Sequence, residues 1–157
     1  MAVLDAWTAG AAASAGGTVT AAGPQPGGDA LSGAPAWYVR MRGEEKDVIT
    51  VWLTLRQRTL FHHAQLMPAP EEAVRETWEY LLRRNADLFG MAFALGQEGG
   101  VELVGRVPVE RVDDAELDRV VGTTLACVEE CFPTAMALGF GARFRRRPRT
   151  RPDTAHC

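Results

Sequence analysis

Lysine is almost missing from this chain: Lys46 stands alone among 17 basic residues, and every other one is arginine. Serine is nearly as scarce. Ser14 and Ser32 are the only two, both within an Ala/Gly/Pro-rich stretch, which leaves no serine nucleophile held on a rigid scaffold. Of three cysteines, Cys127 and Cys131 stand four apart on a stretch that reads as helix, and Cys157 ends the chain. That pattern does not support a disulfide framework, and two thiols without two further ligands nearby do not make a zinc site, so Cys127 and Cys131 read as small buried hydrophobes. No apolar run reaches the roughly 20 residues that cross a bilayer. Met1 to Gly17 has no Lys or Arg ahead of its apolar part and makes a poor signal peptide, so a reduced, cytoplasmic setting is expected.

Other absences concern chemistry. The glycine pairs Gly16-Gly17, Gly27-Gly28 and Gly99-Gly100 lack both the Lys-Ser/Thr of a phosphate loop and the strand–Gly–helix setting of a dinucleotide fold. His62 and His63 are neighbours on a strand, so their side chains leave opposite faces and cannot share a metal. The acids Asp113, Asp114, Glu116 and Asp118 sit where a helix should begin, and there carboxylates cap the helix and complement its dipole. The residues thus give no catalytic, cofactor-binding or metal-binding constellation, and the chain reads as a binding module rather than an enzyme.

What is present is patterned. Residues 1–36 are rich in Ala, Gly and Pro and read as a flexible arm, with a short helix over 3–13 compatible with Val3, Leu4 and Trp7 on one face. From Trp37 the period becomes two: Trp37, Val39 and Met41 alternate against Tyr38, Arg40 and Arg42; Ile49, Val51, Leu53 and Leu55 against Thr50, Trp52 and Thr54; and Leu60, His62, Ala64 and Leu66 against Phe61, His63, Gln65 and Met67. The second and third of these strands should form a hairpin about Arg56-Gln57-Arg58. Pro70 and two glutamates open a helix carrying Val74, Trp78, Leu81, Leu82 and Leu88, with Gly90 as its left-handed stop. Strands over 91–95 and 101–107 follow. A second helix starts at Asp113 and runs to about Phe132, where Pro133 breaks or restarts it.

Charge is unevenly spread over the net −3. The stretch from Arg143 onward holds six Arg and one Asp, leaving 11 basic against 19 acidic residues before it. The domain itself is therefore acidic and disfavours nonspecific nucleic-acid binding, which only the Arg-rich tail over 141–157 could support. That tail reads as solvated and disordered.

Blocks of sequence along the domain are similar to the YbjN domain family, in particular its actinobacterial members, a family related in fold to type III secretion chaperones. The resemblance rests on Thr59-Leu60 through Ala64-Gln65-Leu66-Met67-Pro68-Ala69-Pro70-Glu71, Tyr80-Leu81-Leu82-Arg83-Arg84-Asn85, Asp87-Leu88-Phe89-Gly90-Met91, Leu117-Asp118-Arg119 and Phe132-Pro133-Thr134-Ala135-Met136. It implies an α+β fold over 37–140, with a twisted antiparallel sheet of about five strands and two main helices on one face. It also implies a homodimer, no enzymatic activity, and a chaperone-like, regulatory or sensory role. With the alternating strands packed inward, Trp52, Phe61, His63 and Met67 fall on the opposite face as a semi-apolar patch suited to a protein or peptide partner. The alternative is a small-molecule sensory domain whose ligand sits between sheet and helices.

Overall fold

The computed structural model describes residues 1–14 and 17–145. A helix over Ala2–Ala13 (α1) precedes four strands, Val19–Pro24 (β1), Ala36–Arg42 (β2), Val48–Arg56 (β3) and Thr59–Met67 (β4). Helix α2 (Val74–Arg84), the strands Met91–Leu95 (β5) and Val101–Pro108 (β6), the long helix α3 (Asp114–Gly139) and a short α4 (Gly141–Arg145) complete the chain. The strands form one antiparallel sheet in the order β1-β2-β3-β4-β6-β5. Alternation sets its two faces. Trp37, Val39, Met41, Ile49, Val51, Leu53, Leu60, Ala64, Leu103 and Val107 are buried against Leu4, Leu81, Leu117, Val120 and Val128 of the helices. Among the described residues no helix packs on the other face.

The α+β class and the one-sided helix layer follow the sequence pattern, but the sheet has six strands, not five. The additional one, β1, lies in the stretch 1–36 that composition assigned to a flexible arm. Its residues, Val-Thr-Ala-Ala-Gly-Pro, have no apolar alternation; pairing with β2 and the packing of α1 beside it supply what propensity does not. Helix α1 is tied down by two indoles that need acceptors once covered. Trp37 Nε1 donates to Asp5 Oδ1 and Trp7 Nε1 to Asp118 Oδ1, each at 2.9 Å, joining α1 to β2 and α3. Of the expected Arg-rich tail, Gly141–Arg145 is helical and Arg143 pairs with Glu71, while residues 146–157 lie outside the described residues.

Both main helices differ from their expected limits for local reasons. α2 begins only at Val74, because the amides of Glu71 and Glu72 donate to the carbonyl of Gly139 and Ala73 takes a left-handed φ of 45°. An L-residue pays for that conformation where glycine does not. Ala73→Gly should raise stability by about 0.5 kcal/mol, the relieved strain less the extra unfolded-chain entropy of glycine, read by urea denaturation. α2 ends at Arg84, ahead of a single 3-10 turn over Asn85–Asp87, so Leu88 and Gly90 lie beyond it: Gly90 is left-handed, at φ 74°, in the turn into β5 and not as the helix stop. α3 passes through Pro133 unbroken to Gly139: the ring faces solvent, and burial of Cys131 and Ala135 on either side outweighs one missing amide. Asp113 caps α3 by accepting from the Glu116 amide at 2.8 Å.

Two polar devices close the ends of the sheet. The Glu129 carboxylate accepts from the amides of Glu44, Glu45 and Lys46 at 2.6, 2.9 and 3.1 Å, pinning the β2–β3 turn to α3. Burial raises the carboxyl pKa, but these three donors outweigh it and the net shift is downward. Glu129→Gln should cost about 1.5 kcal/mol by weakening charge-assisted bonds, measured by thermal denaturation. The lone lysine then reaches back from the same turn: Lys46 Nζ donates to the carbonyls of Gln65 and Leu66 at 2.6 and 3.1 Å, where a bulge interrupts β4. At the far edge, Asn85 brackets Phe93 of β5. The Phe93 amide donates to Asn85 Oδ1 at 2.7 Å and Asn85 Nδ2 donates to the Phe93 carbonyl at 3.2 Å. These groups of an edge strand are thereby withdrawn from pairing with another chain.

Candidate functional site

The helix-free face is built from the outward positions of β2, β3, β4, β6 and β5. Trp52 on β3 stands opposite Tyr38 on β2 and His63 on β4, and its ring meets Tyr38 at 6.0 Å between centroids. Phe61 stands opposite Thr54 and Arg106, and His63 opposite Val104. Trp52, Phe61 and His63 are all half-buried. Met67 does not join them. The bulge between Gln65 and Met67 shifts the alternation by one, so Leu66 and Met67 are both buried and Met67 reaches the core beside Gly139. A single bulge is invisible to a period-two reading, which is why sequence placed Met67 on the outer patch.

A concavity of about 1050 Å³ lies on this face, running along β4, β6 and β5. One rim is the segment Asp29–Leu31, the other the β5–β6 turn through Gly96 and Gly100, and Phe61, His63, Arg56 and Arg106 line it between them. The first rim is a built loop. The Asp29 amide donates to the Ala34 carbonyl at 2.8 Å, and Asp29 Oδ2 accepts from the Ser32 amide and hydroxyl. The Ser32 bonds hold the Asp29 carboxyl below the usual carboxylate range, against partial burial and with help from the positive charge of Arg56. Trp52 lies beside this cleft rather than in it.

Phe61 is bracketed by guanidinium groups, with Arg56 Cζ at 4.6 Å and Arg106 Cζ at 4.8 Å from the ring centroid. Sequence reading passed over both arginines and Asp29. Arg106 alternates outward between Gly105 and Val107, so strand parity marks its face, but only the sheet order brings it to Phe61. Asp29 is adjacent through the loop alone.

The opposite face holds His62, Cys127 and Cys131. His62 leaves the sheet on the core side, is 2% exposed, and its Nε2 has no hydrogen-bond partner. Burial chiefly, then the positive charge of Arg119, pushes its pKa down to about 4. Cys127 and Cys131 are both buried on α3, with Arg84 and Tyr80 of α2 beside Cys131. The Cys127 thiol donates toward Cys131 and, with Arg84 and Tyr80, outweighs burial and holds the Cys131 thiol below the usual thiol range. Among the described residues no three His, Cys, Asp or Glu side chains converge in a way that could hold a metal. Between sheet and helices, where the sensory alternative places its ligand, fully buried Val120, Val128, Cys131 and Leu60 fill the centre, and a concavity of about 160 Å³ lies between α2 and the β5–β6 edge, lined by Trp78, Leu81, Leu82, Phe93 and Val101. The concavity of about 1050 Å³ is on the other side.

A family model described as "Putative bacterial sensory transduction regulator", YbjN, matches residues 26–136, which contain every strand from β2 to β6 and the whole of the cleft. The chain belongs to the YbjN family. Its relatives include an uncharacterized protein of Mycobacterium tuberculosis and one of Mycobacterium bovis, each 34% identical over 123 residues, 78% of this chain and 65% of theirs. An uncharacterized protein of Mycobacterium leprae is 32% identical over 120 residues, 74% of this chain and 65% of its own. The chain thus spans 65% of the length of these curated relatives. No helix among the described residues is long and apolar enough to cross a membrane.

Proposed function

We propose that this YbjN-family protein is a non-enzymatic regulatory module, acting in the cytoplasm, that holds a segment of a partner protein against the open face of its sheet. The observation that carries the reading is the cleft itself: a concavity of about 1050 Å³ on a helix-free sheet face, with Phe61 and His63 inside and Trp52 alongside. Half-exposed aromatic side chains bring large contact area at small entropic cost, as in protein-binding surfaces generally. The opposite face is committed to the core. A second copy of the chain would find its apolar surface elsewhere, on the outer flank of α2, where Leu82 is 65% exposed and Trp78 39%. Homodimerisation there, which the family resemblance suggests, would leave the cleft open.

Affinity capture from the native host tests the reading. The unaltered chain should retain a polypeptide that Trp52→Glu combined with Phe61→Glu releases. Retention that ignores both changes would remove the open face as the binding site.

A further inference from the structure

The cleft is electrically two-ended, and this says what kind of segment it suits. At one end Arg56 and Arg106 press on Phe61, and neither makes an ion pair with a described carboxylate. Asp29, on the nearby rim, turns its carboxylate into Ser32 and forms no salt bridge with Arg56. Stacking on an aromatic ring fixes the plane of a guanidinium while leaving its N–H edge free, and a planar fork of that kind matches a carboxylate with two parallel bonds. At the other end lie Glu98 and Glu102. From Arg106 to Glu102 the strand rises about 13 Å, the length of four extended residues. A positive end is not what the rest of the domain supplies, since residues before Arg143 hold 11 basic against 19 acidic side chains.

We propose that the cleft selects an extended acidic segment of a partner protein, with one carboxylate held by Arg56 and Arg106 and a neighbouring apolar side chain against Phe61. This rests on the protein-binding reading and adds the chemistry of the bound segment. The acidic end at Glu98 and Glu102 repels a second carboxylate and so fixes which way the segment lies.

The test uses the full chain with isotope-labelled arginine side chains, titrated with a blocked heptapeptide alternating glutamate and valine. The Nε–Hε signals of Arg56 and Arg106 should shift together. Affinity should fall about tenfold or more with the glutamine counterpart of the peptide, or with Arg56→Gln combined with Arg106→Gln, and fall further as salt rises. Arg58→Gln, on the adjacent turn, should leave it unchanged. Equal binding of the glutamine peptide, or undiminished binding by the double variant, would overturn the proposal. So would free glutamate shifting the pair as strongly as the peptide, because the site would then be one for small anions. If the capture experiment still retains its Trp52- and Phe61-dependent polypeptide in the Arg56→Gln, Arg106→Gln background, the open-face reading stands and the acidic specificity falls.

Discussion

Between pH 6.5 and pH 4 the protein should lose up to about 3 kcal/mol of stability, and His62→Leu should abolish most of that loss. His62 is buried at 2% exposure with Nε2 unpartnered, among Glu116 and Arg119 at the start of α3 and with His63 on the same strand. Burial and the Arg119 charge outweigh the attraction of Glu116, and the imidazole titrates near pH 4 rather than the usual 6.5. The folded state therefore holds this ring neutral where the unfolded chain binds a proton. With more protons bound by the unfolded chain throughout that window, stability rises with pH and falls on acidification. The carboxyls of Asp29, Glu116 and Glu129 are shifted downward too, which favours their charged form where His62 favours its neutral one, and their contribution is lost only as pH drops through the ordinary carboxylate range and below. Urea denaturation at half-unit steps of pH separates the two windows. A slope between pH 6.5 and 4.5 that is unchanged in His62→Leu would assign it to another group.

Gly105→Ala should be the most damaging single methyl in the sheet, costing about 3 kcal/mol. Gly105 on β6 pairs directly with His62 on β4 and with Met91 on β5, and the missing side chain is what lets the imidazole lie over the strand. A Cβ there would overlap Cε1 and Nε2 of His62 and stand 2.6 Å from the carbonyl oxygen of Gly90. The first neighbour is a side chain that could swing, though only by losing core contacts; the second is backbone beside a left-handed glycine. His62→Ala in the same chain should therefore recover part of the loss and not all of it, a coupling of about 1–2 kcal/mol by double-mutant cycle. Full additivity of the two changes would mean that the ring and the glycine do not share this space.

How far the sequence reveals the fold can be traced through particular residues. Strands β2 to β6 are legible because each keeps its inward apolar row, and α3 because Asp113 caps a long stripe. β1 is not legible: its Ala, Gly and Pro acquire a place only when β2 presents an edge and α1 lies beside it. α1 shows in the helical spacing of Val3, Leu4 and Trp7, but its docking does not: that rests on the indoles of Trp7 and Trp37, which find acceptors in Asp118 and Asp5. Of the surface residues, Trp52, Phe61 and His63 share a face by parity, and parity failed at Met67 because one bulge reverses it. Arg56, Arg106 and Asp29 could not be gathered by pattern. Arg106 joins Arg56 and Phe61 only because β6 inserts next to β4, a neighbour relation between strands separated by a whole helix and another strand, and Asp29 comes near through its loop.

Site-specific photo-crosslinking bears most directly on the open face as the binding surface. A benzoyl-phenylalanine placed at position 61 in the native host should capture a discrete polypeptide through the cleft, whereas the same group at Arg75 on the outer side of α2 should not capture that polypeptide. Capture at Arg75 of a polypeptide other than a second copy of the chain, with none captured at position 61, would contradict it.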